Sequence, residues 1–97
     1  MKEEWKPDYN VTPRRVVCAA NRKRETGLII CGARHWDKIM RAQAKALNET
    51  FTGWDQGFID QFGDFITRDE AWVIAKDQKQ IFREVSSPGR LYSENLY

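Results

Sequence analysis

Histidine and cysteine are scarce in this sequence, which has one His and two Cys among 97 residues. Cys18 and Cys31 do not form a CxxC pair, and His35 is the lone imidazole, so neither a zinc site nor a disulfide framework is indicated. Two unpaired cysteines are typical of a cytosolic protein, in which both thiols are expected to be small core residues. We therefore expect neither a metal ion nor a cofactor.

Long hydrophobic runs and a strong charge excess are also missing. No apolar stretch approaches the roughly 20 residues of a membrane-spanning helix, and the polar start, with Lys2, Glu3 and Glu4, has no signal-peptide core. The formal charge is only +2, far from the dense basic surface with which proteins bind duplex nucleic acid. These absences predict a cytoplasmic protein that binds neither a membrane nor a duplex.

The common catalytic motifs are absent as well. The sequence has no P-loop, no dinucleotide-binding glycine motif, no nucleophile elbow and no HExxH string. The candidate general base is His35, which would need a partner such as Asp37 or Asp60 to act in a small phosphodiesterase or ADP-ribose hydrolase. We expect that the protein is not an enzyme, and the phosphodiesterase stays as the alternative.

Aromatic residues are abundant, with four Trp, five Phe and three Tyr. A chain of this length builds one core and removes only roughly 60 to 65% of its unfolded surface from water. We therefore expect one domain over residues 1–97, in which 1–13 form a flexible lead. So many large rings exceed what one small core encloses, and copies of the chain can bury the surplus between them. The composition predicts a homo-oligomer.

Apolar runs and turn signals predict an α+β fold of the order β-β-α-β-β-α, followed by a C-terminal tail. Positions 15–20 and 27–31 are apolar runs around a polar tip at 23–26, which is the pattern of a β-hairpin. Because these runs are apolar at successive positions, both faces of the sheet are expected to be covered. From position 35 to 47 apolar residues recur at helical spacing, and Asn48 is a natural stop.

The second half of the chain follows the same order. Positions 58–60 and 64–66 flank a turn in which Gly63 can adopt the positive φ of a tight hairpin. Thr67 and Glu70 then form a capping box at the start of a helix that fades near 79–82. Positions 86–89 predict a loop, and the aromatic tail at 91–97 is expected to add an edge strand or to pack on a neighbour.

Both predicted helices start beside an arginine, and these two starts are the candidate binding corners. Arg34 and His35 precede the first helix, whose free amides and positive dipole end suit phosphate oxygens. Thr67 and Arg68 open the second helix near Phe58, so that a ring could stack on a base while a guanidinium holds a phosphate. The alternative is structural, with Arg34 in a salt bridge, His35 as a cap and Phe58 in the core. A subunit this small can hardly enclose such a ligand, so a pocket is expected between subunits.

Five strings of this sequence resemble the phage Thoeris anti-defence type one proteins. They are RVVCAAN at 15–21, ICGARHWD at 30–37, QGFID at 56–60, FITRDEA at 65–71 and LYSENLY at 91–97. The resemblance implies a phage-encoded sponge that holds cyclic ADP-ribose isomers, and in some members cyclic oligonucleotides, without cleaving them. It also implies dimers or hexamers in the host cell cytosol, with ligands at subunit interfaces.

The resemblance further implies ligand contacts for particular residues. Arg34 of the GARH string and Phe58 of the QGF string match ligand-contacting positions, with Arg90 before the tail as a third. Thr67 stands where some members carry Asn beside the helix-start arginine, which bears on affinity and ligand choice. The remaining alternative is a protein that inhibits or bridges host proteins through its aromatic tail.

Overall fold

The computed structural model describes residues 13–83 and 89–96, and in these ranges it confirms the predicted α+β element order. The elements are β1 (Val16–Lys23), β2 (Ile29–Gly32), α1 (Lys38–Ala46), β3 (Trp54–Asp60), β4 (Phe65–Thr67), α2 (Arg68–Asp77) and α3 (Ser93–Leu96). The four strands form one antiparallel sheet in the order β2-β1-β3-β4. The predicted flexible lead up to position 12 and the predicted loop up to position 88 lie outside the described residues.

The core lies between one face of the sheet and the two main helices. Ala19, Ile30 and Phe58 point to this face because successive residues of a strand alternate between its two sides. A bulge between Val16 and Cys18 shifts the register of β1 by one residue and returns Val16 to the core. The helices complete the core with four residues of low exposure, Met40, Ala44, Ala71 and Ala75.

The opposite face of the sheet carries Ile29, Ile59 and Phe65, all partly exposed. Within the described ranges both main helices pack on the other face. Cys18 and Cys31 also lie here as free, half-buried thiols, which corrects their prediction as core residues. Burial, followed by the proximity of Cys31, raises the pKa of Cys18 to about 11, which keeps this thiol protonated at neutral pH.

Glutamine side chains close two open stretches of strand backbone. Gln43 of α1 accepts from the Cys31 amide at 3.1 Å and donates to the Cys31 carbonyl, so α1 lies against the edge strand β2. Gln80 bonds the Val16 amide and carbonyl in the same way, at 3.0 and 2.8 Å. Each amide occupies the donor and acceptor that a further strand would use, which protects the sheet against edge-to-edge pairing.

The helix ends correct one prediction and confirm another. α1 begins at Lys38 rather than at His35, because Asp37 is its N-cap and accepts from the Met40 amide at 2.9 Å. The capping box of α2 is present, with the Thr67 hydroxyl and the Glu70 carboxylate each bonding the other residue's amide. At each helix start the N-cap side chain thus accepts one first-turn amide, that of Met40 in α1 and that of Glu70 in α2.

Candidate functional site

Arg68 is the centre of a polar cluster that joins three distant parts of the chain. The capping box turns the chain at Thr67, so Arg68 enters the first turn of α2 with only 9% of its surface exposed. Its Nη1 donates to the Leu91 carbonyl at 2.6 Å, and its Nη2 donates to Gln56 Oε1 at 2.7 Å. Alternation along β3 places Gln56 on the same face as Phe58. The guanidinium thus links α2, β3 and the C-terminal segment.

His35 lies against this guanidinium as a neutral imidazole. Its Nε2 is 2.7 Å from the Gly57 carbonyl, and since a carbonyl only accepts, Nε2 carries the proton. Nδ1 therefore presents a lone pair to Arg68 Nη2 at 3.4 Å and to Ser93 Oγ at 3.3 Å. Burial lowers the pKa of His35, the bond to Gly57 opposes this, and the charge of Arg68 lowers the pKa further.

The buried imidazole predicts a pH dependence of stability. Because the pKa of His35 is lowered from 6.5 in the folded chain, the unfolded chain binds more protons once the pH falls below that value. We expect the free energy of unfolding in urea to be level near neutral pH and to decline as the pH drops below about 6.5. Glu70, whose pKa is lowered by the Thr67 amide, affects the free energy of unfolding in a separate pH range, below 4.5. An unchanged slope near pH 6 in a His35→Gln variant would contradict this assignment.

The C-terminal segment packs onto the cluster as a short helix, so the described part of the tail is not the edge strand offered as one possibility. Leu91 is fully buried, and its amide donates to the Arg68 carbonyl at 3.0 Å. The Tyr92 ring lies 4.5 Å from the guanidinium carbon of Arg68, which is the geometry of a cation–π contact. The buried Asn95 accepts from the Tyr92 amide and donates to the Arg83 carbonyl.

Arg34 and Arg90 are the accessible cations of this corner. Arg34 pairs with Glu94 of α3 at 3.6 Å, and its side chain is 44% exposed. Arg90 pairs with Asp69 of α2 at 3.6 Å and is 59% exposed. Exposed pairs of this length are weak and exchange readily with solvent or with another anion. These two guanidiniums therefore lie at the surface, unlike the buried guanidinium of Arg68.

The remaining predicted residues have different surroundings. Phe58 is fully buried in the core, and its ring meets the His35 ring edge-on at a centroid distance of 5.1 Å. The Thr67 hydroxyl faces the Glu70 amide in the capping box. The structure thus brings His35, Phe58 and Arg68 into direct contact and leaves Thr67 at the margin.

Three members of the cluster, Gln56, Tyr92 and Ser93, were not predicted from the sequence. Gln56 could have been found from strand alternation, because it lies two residues before Phe58. Nothing local marks Tyr92 or Ser93, whose partners are 24 and 58 residues away in sequence. Their roles follow from the docking of the tail.

Across residues 13–83 and 89–96, no group of three His, Cys, Asp or Glu residues is placed to hold a metal ion. In the same ranges, no helix has both the length and the apolar character needed to cross a membrane.

Fold and site define a small α+β protein in which the two main helices pack on one face of an antiparallel sheet. Its candidate site contains Arg34, Arg68 and Arg90 beside the C-terminal segment, and we call it the arginine-rich corner. The chain belongs to the family described as "Phage T4 y16D protein", whose match covers residues 15–97. This match places it among phage proteins and spans every element of the fold. Comparison with curated proteins and with solved structures gives no match.

Proposed function

We propose that this phage protein binds and sequesters a phosphate-bearing cyclic nucleotide signal of the host, with cyclic ADP-ribose isomers as the first class and cyclic oligonucleotides as the second. The observation that carries the proposal is the arginine-rich corner. Arg34, Arg68 and Arg90 come from three separate segments: Arg68 lies against the Tyr92 ring, Arg34 pairs with Glu94 of α3, and Arg90 pairs with Asp69 of α2. Two of them, Arg34 and Arg90, are accessible and pair with exposed carboxylates, which suits the exchange of a carboxylate for a phosphate.

The rigidity of the arginine-rich corner favours ligand binding. Arg68 and His35 are fixed by hydrogen bonds to backbone and side-chain acceptors, so the accessible arginines lie next to ordered side chains. A preorganised site loses less conformational entropy when a ligand binds than a flexible one does. The resemblance to anti-defence sponges agrees with this reading and supplies the ligand class.

The surroundings of the acid–base candidates favour holding a ligand over cleaving it. The Asp37 carboxylate accepts from the Arg34 and Met40 amides as a helix cap. Asp60 is buried, pairs with Arg14 at 2.9 Å and accepts the amides of its own turn. Each carboxylate that could act as a partner for His35 is thus engaged in structural hydrogen bonds, and the imidazole N–H donates to the Gly57 carbonyl.

A second copy of the chain is expected to complete the pocket. In one copy the corner offers accessible guanidiniums, while Phe58 and Arg68 are enclosed by the core and the tail. Tight binding must offset an association cost estimated at about 4 to 15 kcal/mol, which takes more contacts than two exposed arginines supply. We therefore propose a dimer or hexamer in which neighbouring corners face one ligand.

Arg34→Ala is the direct test of this site. We expect calorimetric titration with cyclic ADP-ribose isomers to show binding weakened by about 1.5 to 3 kcal/mol, because a charged hydrogen bond to phosphate is lost. The melting temperature should change little, since the pair with Glu94 is exposed. Arg24→Ala is the matched control, because Arg24 is also an exposed arginine paired with a carboxylate, Asp55. Equal weakening in both variants would reject the site.

Recovery of the ligand separates a sponge from an enzyme. After heat denaturation of the complex, chromatography should return the ligand unchanged and in proportion to the protein. An altered product would assign the phosphodiesterase alternative. The protein-inhibitor alternative has less support, because Leu91 and Tyr92 of the tail pack within the same chain.

A further inference from the structure

A second surface, separate from the arginine-rich corner, combines aromatic rings with cations. It is a hollow of about 600 Å³ between α1 and the loop that precedes β3. We call it the Trp36 groove, and its chemistry comes from Trp36, Phe51, Lys38, Arg41 and Lys45. The sequence alone predicted only a solvated face for α1.

The groove has two aromatic residues: Trp36 is held by packing against Trp54, and Phe51 is half exposed. Trp36 has a φ of +55°, which is uncommon for a residue other than glycine, and its amide contacts Met40 Sδ at 3.2 Å. The Trp36 ring packs edge-on against Trp54 at 5.8 Å, while Phe51 lies 4.9 Å from it on the groove side. Phe51 keeps 50% of its surface exposed, so one ring face is available for stacking.

The cations form a row along the helix. Lys38, Arg41 and Lys45 are spaced by three and four residues, which places them on one face over a length of about 10 Å. None of the three makes an ion pair with a residue that the structure describes. The Asp37 carboxylate also borders the groove, but its oxygens accept the Arg34 and Met40 amides. The row is thus a line of positive charge beside an exposed ring.

We propose that the Trp36 groove binds a segment of single-stranded nucleic acid, with one base stacked on Phe51 and successive phosphates along the cations of α1. A positively charged track beside an exposed aromatic ring is the arrangement with which proteins hold single strands without reading their sequence. A strand carries one phosphate per nucleotide and so reaches all three cations, whereas the phosphates of a mononucleotide are concentrated at one end. The proposal is independent of the arginine-rich corner.

Fluorescence anisotropy with a labelled oligothymidylate of about ten nucleotides tests the proposal on the full chain. We expect a Kd between about 10⁻⁴ and 10⁻⁶ M, and three phosphate contacts on a single strand predict a slope of log K against log salt of about −2. Phe51→Ala should weaken binding about tenfold, because a stacked base is lost. Lys38→Gln with Lys45→Gln should reduce the slope by about 1.4.

The matched control is Lys76→Gln with Lys79→Gln, which removes the same charge from the α2 end of the molecule. It should leave the slope and the affinity close to those of the natural sequence, as should Arg34→Ala, which tests the other site. Absence of binding at low salt would overturn the proposal. So would equal losses in the groove and control variants, or thymidine diphosphate binding as tightly as the oligonucleotide.

Discussion

Replacing Arg68 with methionine is expected to lower the free energy of unfolding by about 1 to 3 kcal/mol, the usual cost of leaving a buried hydrogen-bond acceptor without its donor. Methionine fills much of the same volume, so the loss comes from the acceptors left behind. Those are Gln56 Oε1 and the Leu91 carbonyl, to which Arg68 donates. Urea unfolding followed by tryptophan fluorescence measures the effect.

Arg90→Met is the control for Arg68→Met. Arg90 also lies beside the tail, but its pair with Asp69 is exposed, so its replacement should cost less than about 1 kcal/mol. Hydrogen exchange at the Leu91 amide, which donates to the Arg68 carbonyl, should become faster in Arg68→Met because the tail loses its anchor. If the two variants unfolded at the same urea concentration, Arg68 would not be the structural centre of the corner.

Phe58→Ala is expected to lower the free energy of unfolding by about 3 to 5 kcal/mol, because it leaves a cavity in the core. The ring has no exposed surface, and it contacts both the core residues and the edge of His35. Phe58→Leu keeps most of the volume and should cost about 1.5 kcal/mol or less. Thermal unfolding of both variants provides the comparison.

A matched phenylalanine lies at the surface. Phe51 is 50% exposed, so Phe51→Ala should lower stability far less than Phe58→Ala does. If Phe58→Leu unfolds normally and still loses cyclic ADP-ribose binding, the ring of Phe58 acts on the ligand site through its contact with His35. If Phe58→Ala is as stable as Phe51→Ala, the core described around β3 is incorrect.

Local signals in the sequence were sufficient for most of the secondary structure. The capping box of Thr67 and Glu70 joins residues three apart, so its formation depends on chemistry that the sequence displays directly. Gly63 has the positive φ of +82° that its hairpin turn requires. Helical spacing alone predicts that α1 starts at position 35, but the helix begins at Lys38 because Asp37 is its N-cap.

The two candidate corners were also found from the sequence, but as separate places. In the sequence, Arg34 and His35 precede one helix, and Thr67 and Arg68 open another. The structure shows that these are one site, in which His35 and Arg68 lie 3.4 Å apart across 33 residues of sequence. β1 pairs with both β2 and β3, and this pairing brings the segments that follow β2 and β3 to the same part of the molecule.

The sequence by itself determined the hairpins, the capping box of α2 and the residue types available for anion binding, since each depends on neighbours within a few positions. Only the tertiary structure decided that Arg68 is enclosed while Arg34 and Arg90 stay accessible. That division depends on the docking of Leu91, 23 residues beyond Arg68, whose amide and carbonyl both bond Arg68. Burial of a charged group is a property of the packing around it, and the same arginine would be exposed wherever the tail did not close over it.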